Sequence, residues 1–283
     1  MVLRALGSTV CEALLAAPSL SELSEADLRA RSAAGEIVDV DGNPVDLDAT
    51  VLRPAPVYLY RDLPHEYPVP FDMPILHVDD DIVVVDKPHF LATMPRGAHV
   101  AQTALVRLRR ELGSDDVAPA HRLDRLTAGV LLFTRRRDVR AAYQELFAER
   151  QVHKEYRAYA PVDDSLAAGR RVENRIVKTS GDLRAQVVPG EVNAISSITL
   201  VGQDDGIGEY HLLPTTGRTH QLRMHMAGLG VPILGDPLYP DVDPDLASAP
   251  ERGDFSQPLR LVAHVLSFTD PLSGERREFR TQR

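Results

Sequence analysis

"HRLDRLTAGVLLFT", His121 to Thr134, places one carboxylate, Asp124, between Arg122 and Arg125 and then runs into an almost wholly apolar stretch. The apolar run reads as a buried strand, and the basic residues ahead of it as the loop that feeds it. On an extended loop Arg122 and Asp124 project to the same side, because side chains two apart share a face. The segment continues as "RRRDVR", so six arginines and two aspartates lie between His121 and Arg140. The chain as a whole carries a net charge of -9. A lone acid inside the most basic segment of an acidic chain is therefore the feature to explain. For "RRRD", residues 135–138, the ordinary reading is a solvated loop or helix start.

The acidity is not evenly spread. Residues 1–81 hold 15 acidic and 5 basic side chains, and the remainder of the chain has a net charge of +1. An acidic whole-chain balance thus leaves room for a polyanionic partner at a locally basic face. The 283 residues suit one large domain or two smaller ones. No apolar run is long enough to cross a bilayer. The opening "MVLRALGSTVCEALLAAPSL" is interrupted by Glu12 and reads as a short buried helix, not an export signal. With a single cysteine, Cys11, neither an intrachain disulfide nor a cysteine metal cluster is available. The expectation is a cytoplasmic protein, monomeric and without a membrane anchor.

Period and punctuation give the architecture. Residues up to about Ala34 have helical character, followed by short strands in "EIVDVDG" and "PVYLY". "LPHEYPVPFDMP" has four prolines in twelve residues. Proline removes a backbone donor and fixes φ, so a linker is expected there, with a boundary near residue 72. The expected units are 1–72, a small acidic α+β module, and 73–283. In the second, "DIVVVDK" and "GVLLFT" read as buried strands, "EYRAYAPV" and "RVENRIVK" as further strands, and "AISSITLVGQ" with "GEYHLLPTTG" as a strand pair. "LRLVAHVLSFTDP" is a late strand or strand pair. Leu105, Leu108 and Leu112 mark one helix. Val139, Ala142, Tyr143, Leu146 and Phe147 mark an amphipathic second. "THQLRMHMAGLG" marks a third. Strands outnumber helices without alternating with them, which predicts an α+β fold with a mostly antiparallel sheet.

Several chemistries lack their motifs. There is no phosphate-binding G-x-x-x-x-G-K-[ST] loop, no G-x-G-x-x-G after a strand and no H-E-x-x-H. His220 and His225 are five apart, a poor spacing for two zinc ligands on one helix face. No metal and no nucleotide or other cofactor is expected.

Four ordered fragments remain: "HRLDRLTAGVLLFT", "HKEYRAYA", "TTGRTHQLRMHMAGLGVPILGDPLY" and "LRLVAHVLSF". Together they resemble the RluA family of RNA pseudouridine synthases, over roughly residues 74 to 270. The chain has Ala128 where that family often has serine, and "VAH" around His264 where it commonly has "LHA". The resemblance implies a pseudouridine synthase fold with a catalytic cleft and an isomerase acting on uridines of structured ribosomal or transfer RNA. It also implies Asp124 as nucleophile, Tyr156 as the group that handles the C5 proton, and Arg223 as the cation that keeps Asp124 ionised. Arg122 is implied in holding the flipped-out state. Arg125, Lys154, Arg218 and His220 complete the RNA-binding set. A carboxylate can act as a nucleophile, and a guanidinium beside it opposes protonation by desolvation. The alternatives are a non-catalytic RNA-binding protein that kept the fold, and an unrelated hydrolase using the Asp124 carboxylate with His121 or His220. The N-terminal "GEIVDVDGNPV" is similar to the strand-turn of an S4-like module, but "SELSEAD" stands where a basic RNA-binding helix belongs.

Overall fold

The structure is a computed structural model that describes residues 1–60 and 65–283, with the side chain of Ser19 left aside. The chain divides into two compact units, Met1–Leu63 and Pro64–Arg283. The division falls ahead of residue 72 because Glu66 and Val69 of the proline-rich stretch pack within the second unit. Val69 is part of a core with Val83, Leu105 and Phe133. The Glu66 carboxylate accepts the backbone N–H groups of Val100, Ala101 and Gln102 at 2.7–2.9 Å.

In the first unit the helices Val10–Leu15 and Glu25–Ala33 each open on a capping box, Thr9 with Glu12 and Ser24 with Asp27. Both helices bury leucines, Leu14 and Leu28, against Ile37 and Val57. Short strand pairs, Ile37–Val38 with Tyr58–Leu59 and Val2–Leu3 with Ala55–Pro56, close that core.

The second unit is built on one ten-stranded sheet. Its strands are β1 (Ile75–Val78), β2 (Ile82–Lys87), β3 (Ala118–Pro119), β4 (Ala128–Thr134) and β5 (His153–Pro161). They continue with β6 (Arg170–Asn174), β7 (Ala194–Asp204), β8 (Ile207–Pro214), β9 (Leu261–Thr269) and β10 (Arg276–Arg280). The order is β6-β7-β8-β5-β9-β4-β2-β1, with β10 added to β9 and β3 to β4. Every pairing in it is antiparallel except β9 with β4. Helices α1 (Ala104–Leu112), α2 (Arg140–Ala148) and α3 (Gln221–Gly228) flank it. This is the α+β fold the sequence pattern predicts. Among the described residues no helix is long and apolar enough to cross a membrane.

The two halves of the sheet differ in how they are covered, and the sequence shows why. Val83, Val85, Leu131 and Phe133 face α1, while Ile82, Val84, Val130 and Leu132 face α2. With both faces covered, β2 and β4 are buried at every position, hence the uninterrupted "IVVV" and "VLLF". Strands β7 and β8 are covered on one face only, by Leu222 and Met226 of α3, and accordingly alternate.

The lone parallel contact pairs Val262 with Ala128 and Ala263 with Gly129. Gly129 has φ +111°, and a Cβ there would strike the Ala263 carbonyl. Small residues are thus required where β4 leaves the Asp124 loop. The "VAH" departure falls on a β-bulge between Ala263 and Val265, which places His264 on the irregular turn of β9.

Candidate active site

A cleft of about 320 Å³ opens at the start of β4. Its walls carry Arg122 and Asp124 from the loop before β4, Lys154 and Tyr156 from β5, Arg218 and His220 from the β8–α3 connection, and Arg223 from the first turn of α3. The strand period explains the second pair: Lys154 and Tyr156 are two apart on β5 and share its covered face. Tyr156 is paired in register with Leu212 of β8 and Ala263 of β9.

Asp124 is held by its own loop. Its Oδ1 accepts the Leu126 N–H at 2.9 Å and the Thr127 N–H at 2.8 Å, while its Oδ2 lies 3.9 Å from Nη1 of Arg223. Burial acts against its charge, but the Arg223 guanidinium, the Thr127 amide and the Lys87 ammonium outweigh it. The carboxyl is held below the usual aspartate range. Asp124 therefore presents an ionised oxygen to the cleft.

Arg223 is almost fully buried, at 1% exposure. A buried guanidinium needs a fixed counter-charge. Asp236 supplies it through a bidentate pair, Nε to Oδ2 at 2.7 Å and Nη2 to Oδ1 at 2.6 Å. Asp236 is fixed in turn by the N–H groups of Leu238 and Tyr239. The Tyr239 ring lies under the guanidinium, 5.3 Å from its carbon. Asp236 thus takes one edge of Arg223 and leaves Nη1 directed at Asp124.

The loop before α3 is set by Gln221. Its Oε1 accepts from the Thr216 hydroxyl and the Arg218 N–H, and its amide donates to Ile195 O and Ser196 Oγ. His220 then takes φ +57°, a left-handed conformation that is uncommon outside glycine and costs strain. Its Nδ1 is 3.0 Å from the Tyr239 hydroxyl. Burial, followed by the Arg223 charge, pushes its pKa down to about 4, so the ring is neutral near pH 7.

The Tyr156 phenol is pushed up by burial and by the Asp124 charge, so it stays protonated in the free protein. Burial pushes the Lys154 ammonium down, and its Nζ donates to Thr216 O at 3.3 Å. Arg218 is exposed at the rim, with Nε donating to Asn193 O at 3.2 Å. Arg122 is exposed on the cleft wall, and among the described residues no ion pair or hydrogen bond holds its side chain.

Arg125 is turned away from this set and pairs with Glu251 at 3.3 Å. His121 is also directed elsewhere. It stacks on Phe147 with centroids 4.4 Å apart and accepts the Leu132 N–H at its Nε2. Arg135, Arg136 and Arg137 lie at the opposite end of β4. Asp236, Tyr239 and Gln221 were not singled out by the sequence reading; a Gly-Asp turn after α3 was the one signal that pointed toward Asp236.

The family model for RNA pseudouridylate synthase matches residues 81–228. This chain belongs to the RNA pseudouridylate synthase family. It is 30% identical to the dual-specificity RNA pseudouridine synthase RluA of Haemophilus influenzae, over 76% of this chain and 95% of that one. It is 34% identical to the ribosomal large subunit pseudouridine synthase D of Xanthomonas campestris, over 75% of this chain and 66% of that one. The solved structure of human RNA pseudouridylate synthase domain containing 4 matches with a TM-score of 0.55 at 27% identity, covering 74% of this chain and 87% of that one. The RluA resemblance read from the four fragments agrees with these matches. The protein is an isomerase that converts uridine to pseudouridine in RNA, which sets aside the non-catalytic reading.

Proposed function

We propose that Asp124 is the nucleophile of this isomerisation, that Arg223 keeps it ionised, and that Tyr156 handles the proton at C5. The reaction breaks the bond between N1 of uracil and C1′, forms one between C5 and C1′, and moves the C5 proton out while N1 gains one. It consumes no water and no electrons. The observation that carries the reading is the Asp124 carboxylate itself, with one oxygen fixed by two backbone amides and the other facing the cleft beside Arg223. An ionised carboxylate is a competent nucleophile when it is held and partly desolvated. Tyr156 lies in the same cleft, where it stacks on the base and relays the C5 proton. Its protonated state fits that order of events. The Asp124 charge that holds the phenol proton in place is consumed when the carboxylate bonds to substrate.

The substrate in this reading is a structured ribosomal or transfer RNA whose target uridine is flipped out of the stack. The relatives named for ribosomal large subunit and dual-specificity activity support it. Arg122 enters the space the base leaves. Lys154, Arg218 and His220 line the sugar-phosphate path, and Arg125 joins them once it parts from Glu251. The enzyme acts in the cytoplasm and without a cofactor, and as a monomer, since one chain supplies every residue assigned here. The first unit, Met1–Leu63, is a separate acidic module, S4-like in pattern, that does not itself grip phosphate.

Pseudouridine mapping tests this reading. Purified protein is incubated with unmodified ribosomal and transfer RNA, and new sites are compared with those left by an Asp124→Asn control. Sites made only by the unaltered protein support the assignment. The absence of new sites in both RNA classes would remove the substrate proposal.

A further inference from the structure

Lys87 is among the largest fully buried side chains, and among the described residues no carboxylate hydrogen-bonds to it. Its ammonium donates to three backbone carbonyls: Leu91 at 2.7 Å, Pro88 at 3.0 Å and Arg125 at 3.4 Å. A buried charge costs free energy that an apolar side chain of equal length would avoid. Packing alone therefore does not account for a lysine here. The residues after it repeat the pattern. His89 Nδ1 is 2.7 Å from Leu126 O; since a carbonyl only accepts, the nitrogen carries the proton. The Thr93 hydroxyl donates to Leu123 O at 2.8 Å and accepts the Leu123 N–H at 3.2 Å.

One seven-residue segment, 87–93, thus holds the backbone at 123, 125 and 126, on both sides of Asp124. The inward-facing N–H groups of the same loop, at Leu126 and Thr127, hold the carboxylate. The carbonyl oxygens at Arg125 and Leu126 point to the segment and the Leu126 amide nitrogen points to Asp124, so the loop is clamped between them.

We infer that Lys87, His89 and Thr93 are positioning residues that set the aim of the Asp124 carboxylate, with Lys87 also supplying positive charge behind it. The inference rests on Asp124 being the nucleophile. None of the three lines the cleft, so they act through the loop and not on RNA. The electrostatics agree with the geometry. Burial pushes the Lys87 ammonium down to about 7, and Asp124 is the group that pulls it back up. Arg283 and Arg125 are the other charges that face it. Lys87 in turn favours the ionised form of Asp124 alongside Arg223.

The experiment compares matched substitutions on the RNA site mapped with the unaltered enzyme. Single-turnover rate at saturating RNA, RNA affinity, melting temperature and amide exchange at Leu126 and Thr127 are measured together. Thr93→Val and His89→Leu remove the donors, whereas Thr93→Ser and His89→Gln keep one. The first pair should lose about a hundredfold in rate, the scale on which a small misplacement of a reacting group acts. RNA affinity should move less than about threefold, and both amides should exchange faster. The second pair should stay near the unaltered rate. Lys87→Met should lose rate likewise and move the acid limb of the pH–rate profile upward, because a charge that favours ionised Asp124 is gone. If Lys87→Met does not fold, the Thr93 and His89 pairs decide. Full rate in Thr93→Val and His89→Leu, or a lower melting temperature with unchanged rate in the folded fraction, overturns the inference. Those results with an inert Asp124→Asn would leave the nucleophile assignment standing. Turnover by Asp124→Asn would overturn both.

Discussion

Strand β4 has an arginine-rich segment at each end, and the two ends do opposite things. At the start, Arg122 is exposed on the cleft wall and Asp124 faces Arg223 at 3.9 Å. At the finish, Arg136 pairs with Asp81 at 2.7 Å, Arg137 with Asp116 at 2.6 Å, and the Arg135 guanidinium with the Asp79 carbonyl. In the sequence the second cluster is the denser one. In the fold its charge is answered by acids from the β1–β2 turn and the loop before β3. The first cluster is answered only in part, by Glu251 at Arg125. A run of arginines therefore says little about a polyanion site until the acids that fold against it are located. The solvated-loop reading of "RRRD" describes what the structure shows there.

The largest difference between the two ends is expected at Arg223. Arg223→Met removes the cation beside Asp124 and leaves Asp236, which is buried, without its partner. Breaking such a pair costs about 3–5 kcal/mol, so the melting temperature should fall clearly. In the folded fraction the chemical step should slow by about a hundredfold or more. The acid limb of the rate should move to higher pH. The sign follows from Asp124: Arg223 lowers its pKa, so losing Arg223 raises it, and ionisation is complete only at higher pH. Arg223→Met with Asp236→Asn should recover stability without recovering rate. Recovery of both would make Arg223 a structural residue alone.

A smaller and different effect is expected at Arg122. Its change to Ala should slow reaction on structured RNA more than on a short unstructured strand, where the uridine is already unstacked. Equal slowing on both, together with a salt slope lower by about one, would make it a phosphate contact instead. The smallest effect belongs to the far end of β4. Arg136→Ala and Arg137→Ala lose exposed ion pairs, each worth about 0–1 kcal/mol. Rate and RNA affinity should stay within about twofold, measured by the same single-turnover and binding assays. A strong loss of RNA affinity there would place a second contact surface at that end and break the contrast.

Much of this was legible in residues 121–134, because a strand buried on both faces leaves an unbroken apolar run, and the charged residues ahead of it mark its loop. The helices at 104–112 and 140–148 were legible from the spacing of Leu105 and Leu108 and of Tyr143 and Leu146, and the helix at 221–228 from the glycines, Gly228 and Gly230, that end "THQLRMHMAGLG". Seven of the eight residues singled out from the motifs face one cleft: Arg122, Asp124, Lys154, Tyr156, Arg218, His220 and Arg223. Arg125 does not, since its partner Glu251 lies far along the chain and no local pattern announces it. The Arg223–Asp236 pair was hidden for the same reason, and so were the carbonyl contacts of Lys87, His89 and Thr93. Backbone acceptors leave no trace in side-chain spacing. Strand β10, "RREFR", was missed because an exposed edge strand has little apolar alternation to show.

The central claim is that Asp124 carries the reaction and that its surroundings serve to keep it ionised and aimed. Asp124→Asn tests it most directly, measured as pseudouridine formed in a single turnover at saturating RNA, with binding and melting measured on the same sample. The amide keeps the shape of the carboxylate but has no negative charge to bond with. The account predicts RNA affinity and melting close to those of the unaltered protein and no pseudouridine above background. Pseudouridine formed at a substantial rate by a verified Asn variant would contradict it.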